Sequence, residues 1–312
     1  MLLTIAIPTY RSHETLFRTL ETIRLQSLKI DWDLTEILIV DNDPDSKLSD
    51  LLEASSYPKL LEWRYIRNSS NIGYDGNIQK IAQLANGKYV KYLADDDCLA
   101  ENFLTQHLIL LETLSPDIVV NEFETYRGSN YPLSDLSSKS VIETLSPIWS
   151  FDKIKLLNGR YGQISALTIR TELISKLHQP VRSNYIHLFW FYSMIEKSKV
   201  AYERIPHIYV QLGSPNFSSS VMQIVETSLT GLNAIKSADV QNRKLYAAIL
   251  DDAVNYAFQV FRLFPELKIS RRFQILLRHR RDLLIKPCLF LRYLPYVVIP
   301  RWVKQMIKKW RS

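Results

Sequence analysis

The stretch Lys88-Tyr89-Val90-Lys91-Tyr92-Leu93-Ala94-Asp95-Asp96-Asp97 decides how this chain is read. It predicts a short strand running straight into three consecutive carboxylates. Val90, Tyr92 and Ala94 alternate with Tyr89, Lys91 and Leu93, in a segment rich in β-branched and aromatic residues. Three adjacent aspartates repel one another and are poor strand formers. A divalent cation makes them favourable, because Mg²⁺ and Mn²⁺ prefer hard oxygen ligands. Mg²⁺ is usually held by one or two carboxylates plus substrate phosphates. The expected feature is a metal-diphosphate site at the carboxyl end of a central strand. The competing reading is a solvated acidic loop in which one Asp caps the next helix.

Upstream, the apolar run Leu2 to Ile7 predicts a buried strand broken by Pro8-Thr9-Tyr10-Arg11-Ser12. Leu16, Phe17, Leu20, Ile23 and Leu28 then recur at helical spacing, with Ser12 as N-cap and Glu14 in the first turn. Glu36 to Val40 predicts a second strand, ending in Asp41-Asn42-Asp43-Pro44-Asp45-Ser46. That turn fails as an EF-hand loop, because Ser46 stands where Gly is needed and Leu52 where a bidentate Glu is needed. Leu61 to Ile66 predicts a third strand, Asn68 to Asn77 a polar loop, and Asn77 to Ala85 a helix with Asn86-Gly87 as its C-cap. Strand and helix alternate, so a parallel sheet with right-handed crossovers is expected. Ligands of such sheets sit at the carboxyl ends of the strands, where these polar turns lie.

Downstream, Glu101 to Leu114 predicts an amphipathic helix and Asp117 to Asn121 a further strand. Glu124 to Ser146 loosens into a variable loop, and the segment to Gly162 is expected to set specificity. Gln163 to Arg170 predicts a strand, Glu172 to Leu177 a helix, and Tyr185 to Lys197 a buried helix. Val200 to Glu203 and Ile208 to Gln211 predict two late strands. From about Ser218 the pattern is helical, and the tail from Cys288 to Trp302 mixes aliphatics, aromatics and Arg. Two units are expected, residues 1–215 and a helical region 216–312. The basic tail suits an anionic membrane surface better than nucleic acid, with aromatics at the interface and cations on lipid phosphates. The alternative is a helical bundle with solvated basic faces, and Pro295 and Pro300 interrupt any long amphipathic helix.

The chain has 312 residues and a formal net charge of +7, with the basic excess toward its end. No run reaches the ~20 apolar residues of a membrane span, and Met1 leads into the first strand without a basic leader. Cys98 and Cys288 form no metal-ligand pattern, so free thiols are expected. Cys98 reads as a small buried residue rather than a catalytic thiol.

Four pieces in order carry a resemblance: Ile5-Ala6-Ile7-Pro8-Thr9-Tyr10, Glu36 to Asn42, Asn71-Ile72-Gly73 with Asn77, and Ala85 to Val90 leading to Asp95-Asp96-Asp97. Together they resemble a family 2 inverting glycosyltransferase of the GT-A type, over Leu2 to about Asn121 and more weakly to about Gln211. Within the family the chain is similar to bacterial O-antigen and capsule transferases of the abequosyltransferase-like group. The resemblance implies an α/β GT-A fold with a Rossmann-like sheet and a nucleotide-sugar donor carrying UDP, CDP, GDP or dTDP. It also implies a lipid-linked saccharide acceptor and a peripheral place on the inner, cytoplasmic face of the cell membrane. Pro8, Thr9 and Tyr10 would line base and ribose, Asp41 would accept a hydrogen bond from the base, and Asn71, Gly73 and Asp75 would shape the pocket. Asp95 and Asp96 would face the donor, Asp96 toward ribose or metal-bound water. Asp97 would ligate the Mn²⁺ or Mg²⁺ that offsets charge on the leaving diphosphate.

Inversion needs a general base. The family's usual Glu-Asp pair is missing from Ser183 to Trp190, where His187 has a suitable pKa, so His187 is the expected base. The alternatives are a purely structural His187, Asp152 and Glu196. A nucleotidyltransferase is the competing enzyme class, but Pro8 to Ser12 holds no glycine for a phosphate loop. A dinucleotide oxidoreductase lacks its Gly-x-Gly-x-x-Gly after the first strand. A non-catalytic glycan-binding protein with a degenerate transferase fold stays open because the Glu-Asp pair is absent.

Overall fold

In the computed structural model the Asp-rich stretch becomes one of the central strands of a nine-stranded mixed sheet. The structure describes residues 1–26, 32–55, 63–128, 142–145, most of 154–177, 185–212 and a few of 238–248. In chain order the elements are β1 (Leu3–Thr9), α1 (His13–Arg24), β2 (Thr35–Asp41), α2 (Leu48–Ala54), β3 (Trp63–Arg67) and α3 (Gly73–Leu84). There follow β4 (Tyr89–Tyr92), β5 (Cys98–Leu99), α4 (Phe103–Leu114), β6 (Ile118–Tyr126), β7 (Ile142–Leu145) and β8 (Leu167–Arg170). The last are α5 (Thr171–Ser175), α6 (Ile186–Met194) and β9 (Val200–Gln211). The strand order is β3-β2-β1-β4-β8-β6-β9-β5, with β7 pairing β9.

Only half of this sheet is parallel. β1 pairs in parallel with β2 and β4, and β2 with β3. β8 is antiparallel to both β4 and β6, whereas β6 and β9 are parallel. The expected parallel pairing holds for β1 to β4, and the sheet as a whole is mixed because β8 runs against its neighbours. No crossover helix lies between Ala166 and β8; a short 3₁₀ turn (Ile164–Ala166) feeds that strand directly.

β1 and β2 are buried and largely apolar on both faces because helices cover both. Leu3, Ile5 and Ile7 pack with Leu16, Leu20 and Ile23 of α1, while Ala6 lies in the opposite layer with Ile78, Ile81 and Ala82 of α3. Ala238, Leu245 and Ala248 join that second layer, so part of the C-terminal region packs on the domain. The rest of the expected helical region 216–312, including the basic tail, lies outside the described residues.

Local differences have local causes. β1 continues through Pro8 and Thr9, because a proline at a strand end forfeits little. Ser12 precedes α1, but its hydroxyl donates to Tyr10 O at 3.0 Å and accepts no hydrogen bond from a first-turn amide. Helix α3 starts at Gly73, four residues before the expected start, with Gly73 at φ +77. Asn86-Gly87 is no left-handed cap, since Ala85 is already extended. Asn86 instead binds Glu36 through its amide and side chain, at 2.7 and 3.0 Å. Gly87 donates to Thr4 Oγ1 at 2.9 Å, and a Cβ there would meet Thr4 N at 2.5 Å. Glu124 to Tyr126 belongs to β6 rather than to a loop, and the two late strands merge into β9.

Candidate active site

The carboxyl ends of β1, β2 and β4 lie side by side, and most of the expected site residues meet there. Thr9 aligns with Asp41 across β1 and β2, and Asn42 N donates to Thr9 O at 2.9 Å. Tyr10 is 37% exposed just past β1. Arg11, at φ 56, carries its guanidinium over the Tyr10 ring at 5.1 Å and pairs with Asp43 at 3.0 Å. That pair holds the β1 and β2 turns against each other.

Asp41 is almost fully buried. Its Oδ2 accepts from Tyr65 Oη at 3.0 Å and its Oδ1 from Asp43 N at 2.9 Å. Burial and the Asp41 charge push the Tyr65 phenol up to about 12. Behind it runs a ladder of amides. Asn42 Nδ2 donates to Asn71 Oδ1 at 2.9 Å and to Gly73 O at 3.2 Å. Asn68 Nδ2 donates to Asn42 Oδ1 at 3.0 Å and Asn77 Oδ1 at 2.9 Å, and Asn77 Nδ2 to Val40 O at 3.0 Å. Exposed Asn71 and Gly73 are thus anchored through buried Asn42, Asn68 and Asn77. Of these three, Asn42 and Asn77 stood in the resemblance motifs, and Asn68 only opened the expected polar loop.

The three aspartates differ in environment. Asp95 and Asp96 are half-buried, and Asp97 is 3% exposed. Burial first, then the Asp96 charge, raises Asp95 to about 7, opposed by the hydroxyls of Thr9 and Ser12 and the amide of Tyr10. Asp95 is therefore close to the β1 turn, where the Thr9 hydroxyl is buried without a hydrogen-bond partner among the described residues. Asp97 is held well above the carboxylate range by burial and by Asp96. Its Oδ2 accepts from Ser165 Oγ at 2.5 Å and its Oδ1 from Gln211 N at 2.9 Å. Its carbonyl accepts from Thr19 Oγ1 at 2.7 Å, and the Asp96 carbonyl accepts from Tyr126 Oη at 3.0 Å. Arg18 of α1 hydrogen-bonds the Gln211 side chain. Sequence reasoning missed Thr19, Tyr126, Ser165 and Gln211, none of which lies near the triplet in sequence.

Among the described residues no group of three or more His, Cys, Asp or Glu could hold a metal ion by itself. The donor set nevertheless fits a hard cation completed by substrate phosphates. It is all oxygen, and each Asp97 oxygen accepts one hydrogen bond and keeps a lone pair for a cation.

The α3 and α6 starts flank the triplet. Asp75 Oδ1 accepts from Ile186 N at 3.1 Å, tying the two helices together. Tyr74 is raised well above the phenol range by burial, then by Tyr185 and Asp75, with Tyr92 and Asp97 adding to it. His187 lies 2% exposed on the first turn of α6, with ring centroids 5.6 Å from Tyr185 and 6.3 Å from Tyr74. Its Nε2 is 3.2 Å from Gly162 O, and its buried Nδ1 has no partner among the described residues. Burial lowers its pKa to about 4. Glu196 follows the far end of α6 and accepts from Gln241 N at 3.1 Å. Asp152 lies outside the described residues. Cys98 is buried, 3.6 Å from Tyr126 Oη, and its thiol is raised to about 11, which makes it inert.

Three adjacent parallel strands, with Asp41 at the end of β2 and Asp95–Asp97 just past β4, match the architecture of a GT-A type glycosyltransferase fold. The Glycosyl transferase family 2 model matches residues 4–166, and the chain belongs to that family. Abequosyltransferase RfbV of Salmonella typhimurium is 35% identical over 104 residues, which cover 33% of this chain and 31% of that transferase. The S. aureus TarS 1–349 structure in complex with UDP-GlcNAc superposes with a TM-score of 0.60 at 14% identity, covering 95% of this chain and 82% of that one. Mannosyltransferase PcManGT from Pyrobaculum calidifontis, in complex with GDP-Man and Mn²⁺, gives 0.56 at 12% identity, covering 95% and 86%. At these identities the structural likeness speaks for the fold. No helix among the described residues is long and apolar enough to cross a membrane.

Proposed function

We propose that this chain transfers a sugar, with inversion, from a nucleotide-sugar donor to a lipid-linked glycan in cell-surface polysaccharide synthesis at the inner membrane face. The observation that carries the reading is the convergence of Thr9, Asp41 and the Asp95–Asp97 triplet at neighbouring strand ends, with Asp97 clamped at both oxygens. The O-antigen setting rests on the likeness to the abequosyltransferase, and the donor class on the UDP-GlcNAc and GDP-Man of the structural neighbours.

Pro8, Thr9 and Tyr10 would line base and ribose, Asp41 would accept a hydrogen bond from the base, and Asn71, Gly73 and Asp75 would shape the nucleotide pocket. Tyr10 offers an exposed ring on which a base can stack. Asp95 and Asp96 face the donor, and Asp97, with Asp96 beside it, would hold Mn²⁺ or Mg²⁺. When bound, the cation supplies Lewis-acid stabilisation of the leaving diphosphate.

His187 is the proposed base for the acceptor hydroxyl. With a pKa of about 4 it is neutral at pH 7, and with Nε2 donating to Gly162 O its Nδ1 keeps an unshared lone pair, which is buried and would reach an acceptor only if the packing around it opened. The low pKa makes it a weak base, so acceptor approach must supply part of the driving force. Conversion of His187 to Ala tests this: turnover near wild type with intact donor binding removes His187 from the mechanism.

The site as a whole is tested by thermal stabilisation with a panel of nucleoside diphosphates, with and without Mn²⁺. A shift with one diphosphate that requires metal and is lost in Asp97→Asn supports the reading. No shift with any diphosphate favours a glycan-binding protein without transfer activity.

A further inference from the structure

Lys91 is the one charged residue on the face of β4 where Tyr89 and Leu93 join the apolar layer. It is fully buried, with Nζ 5.3 Å from the centre of the Phe103 ring. Burying an ammonium is expensive, and a well-packed apolar residue often serves stability as well or better. Its contacts therefore indicate what it does. Nζ donates to Asn121 Oδ1 at 2.9 Å and to the carbonyl of Ser165. Asn121 Nδ2 in turn donates to Glu203 Oε2 at 2.6 Å. The other titratable groups packed around this point are His107 of α4, bonded to Thr168 Oγ1 at 2.9 Å, and His207 of β9, 3.5 Å from Glu203. Burial lowers both histidines, and it also brings the Lys91 ammonium down to about 7, with Glu203 and Asp97 holding it up against that loss.

Ser165 connects this group to the triplet. Its carbonyl is held by Lys91, while its hydroxyl accepts from Ala94 N at 2.9 Å and donates to Asp97 Oδ2 at 2.5 Å. One residue thus has its backbone fixed from the core and its side chain fixed on the site. Such a short hydroxyl-carboxylate bond is directional and sets the carboxylate rotamer.

We propose that Lys91 is a positioning residue that acts through Ser165 to orient the Asp97 carboxylate for a divalent cation. The inference rests on Asp97 being the metal ligand, as argued above. Partners of this kind typically contribute ten- to a hundredfold to metal affinity.

The test is Mn²⁺ binding to the full chain by calorimetry, with no turnover required. Lys91→Gln keeps a donor for Ser165 and Asn121 but removes the charge. Ser165→Ala breaks the link while leaving Lys91 and its partners in place, and Ser165→Thr restores the hydroxyl. Each variant is first matched to wild type by circular dichroism and melting. The expected result is a Kd about ten- to a hundredfold weaker in Lys91→Gln and Ser165→Ala, with recovery in Ser165→Thr. If Lys91→Gln does not fold, Lys91→Met takes its place, and Ser165→Ala with its threonine rescue reads the same link. Wild-type affinity in the folded variants overturns the inference alone. Absence of Mn²⁺ binding to wild type, with or without nucleoside diphosphate, overturns the metal reading and the inference together.

Discussion

The two halves of the sheet divide the work of the site. β3, β2, β1 and β4 run parallel, and their carboxyl ends present the groups that would touch a donor. β8, β6 and β9 present almost none of those groups, yet Ser165 before β8, Tyr126 at the end of β6 and Gln211 at the end of β9 all converge on Asp96 and Asp97. In the proposed site the first half would recognise the donor, and the second half holds the triplet. A carboxylate that must keep one geometry against the repulsion of two neighbours needs donors from several directions, and consecutive residues cannot supply them.

The largest effect should come where the two halves meet. Asp97→Asn keeps the shape but removes the charge. It should lower kcat/KM on the order of a thousandfold, since metal stabilisation of a transition state is worth several kcal/mol. Steady-state kinetics with the donor identified by stabilisation reads it, and a loss under tenfold would break the division of labour.

A pH effect comes next. His187 has a folded pKa of about 4, below the ordinary 6.5, because burial opposes its charge. A depressed histidine favours the folded state above the unfolded pKa. That contribution is lost as pH falls from about 6.5 through about 4. The loss should reach roughly 3 kcal/mol. Urea unfolding at pH 7 and pH 4 should show a smaller acid loss in His187→Phe than in wild type. Equal losses in the two proteins would mean that His187 is not the buried neutral group described.

A third change probes the far end of the parallel half. Gly87→Ala puts a methyl 2.5 Å from Thr4 N and 2.6 Å from the Leu3 carbonyl carbon, both backbone atoms. Overpacking there should cost about 1–3 kcal/mol in denaturant unfolding while leaving nucleotide affinity unchanged. A neutral substitution would show that β1 and the turn before β4 can separate freely.

The smallest effect should lie outside both halves. Glu172 and Lys176 form an exposed i,i+4 pair on α5, with the Glu172 carboxyl held below its usual range by Lys176. Glu172→Ala should leave both melting temperature and diphosphate-induced stabilisation at wild-type values.

The parallel half was largely legible in the sequence. Apolar runs ending in polar turns located β1 and β2, because a strand covered on both faces is apolar nearly throughout, and alternation located β3 and β4. The errors fell at boundaries decided by long-range contact. Asn86-Gly87 looked like a helix cap, but Asn86 was recruited by Glu36, and Gly87 permits a close backbone approach. Helix α3 began early because Asn42 holds Ile72 N and Gly73 O from a separate turn. The second half was less legible. The antiparallel placement of β8 depends on strands distant in sequence, and local periodicity carries no sign of strand direction.

By itself, the sequence determined the acidic strand end, the alternation of strand and helix through residue 121, and the family. Each of these is written in neighbouring residues, through side-chain period, turn chemistry and motif order. Only the tertiary structure decided that Asp97 is gripped by residues 68 and 114 positions away, that His187 is a buried neutral imidazole, and that Lys91 stands behind Ser165. Burial and hydrogen bonding between distant segments set those properties, and they exist only once the chain has closed on itself.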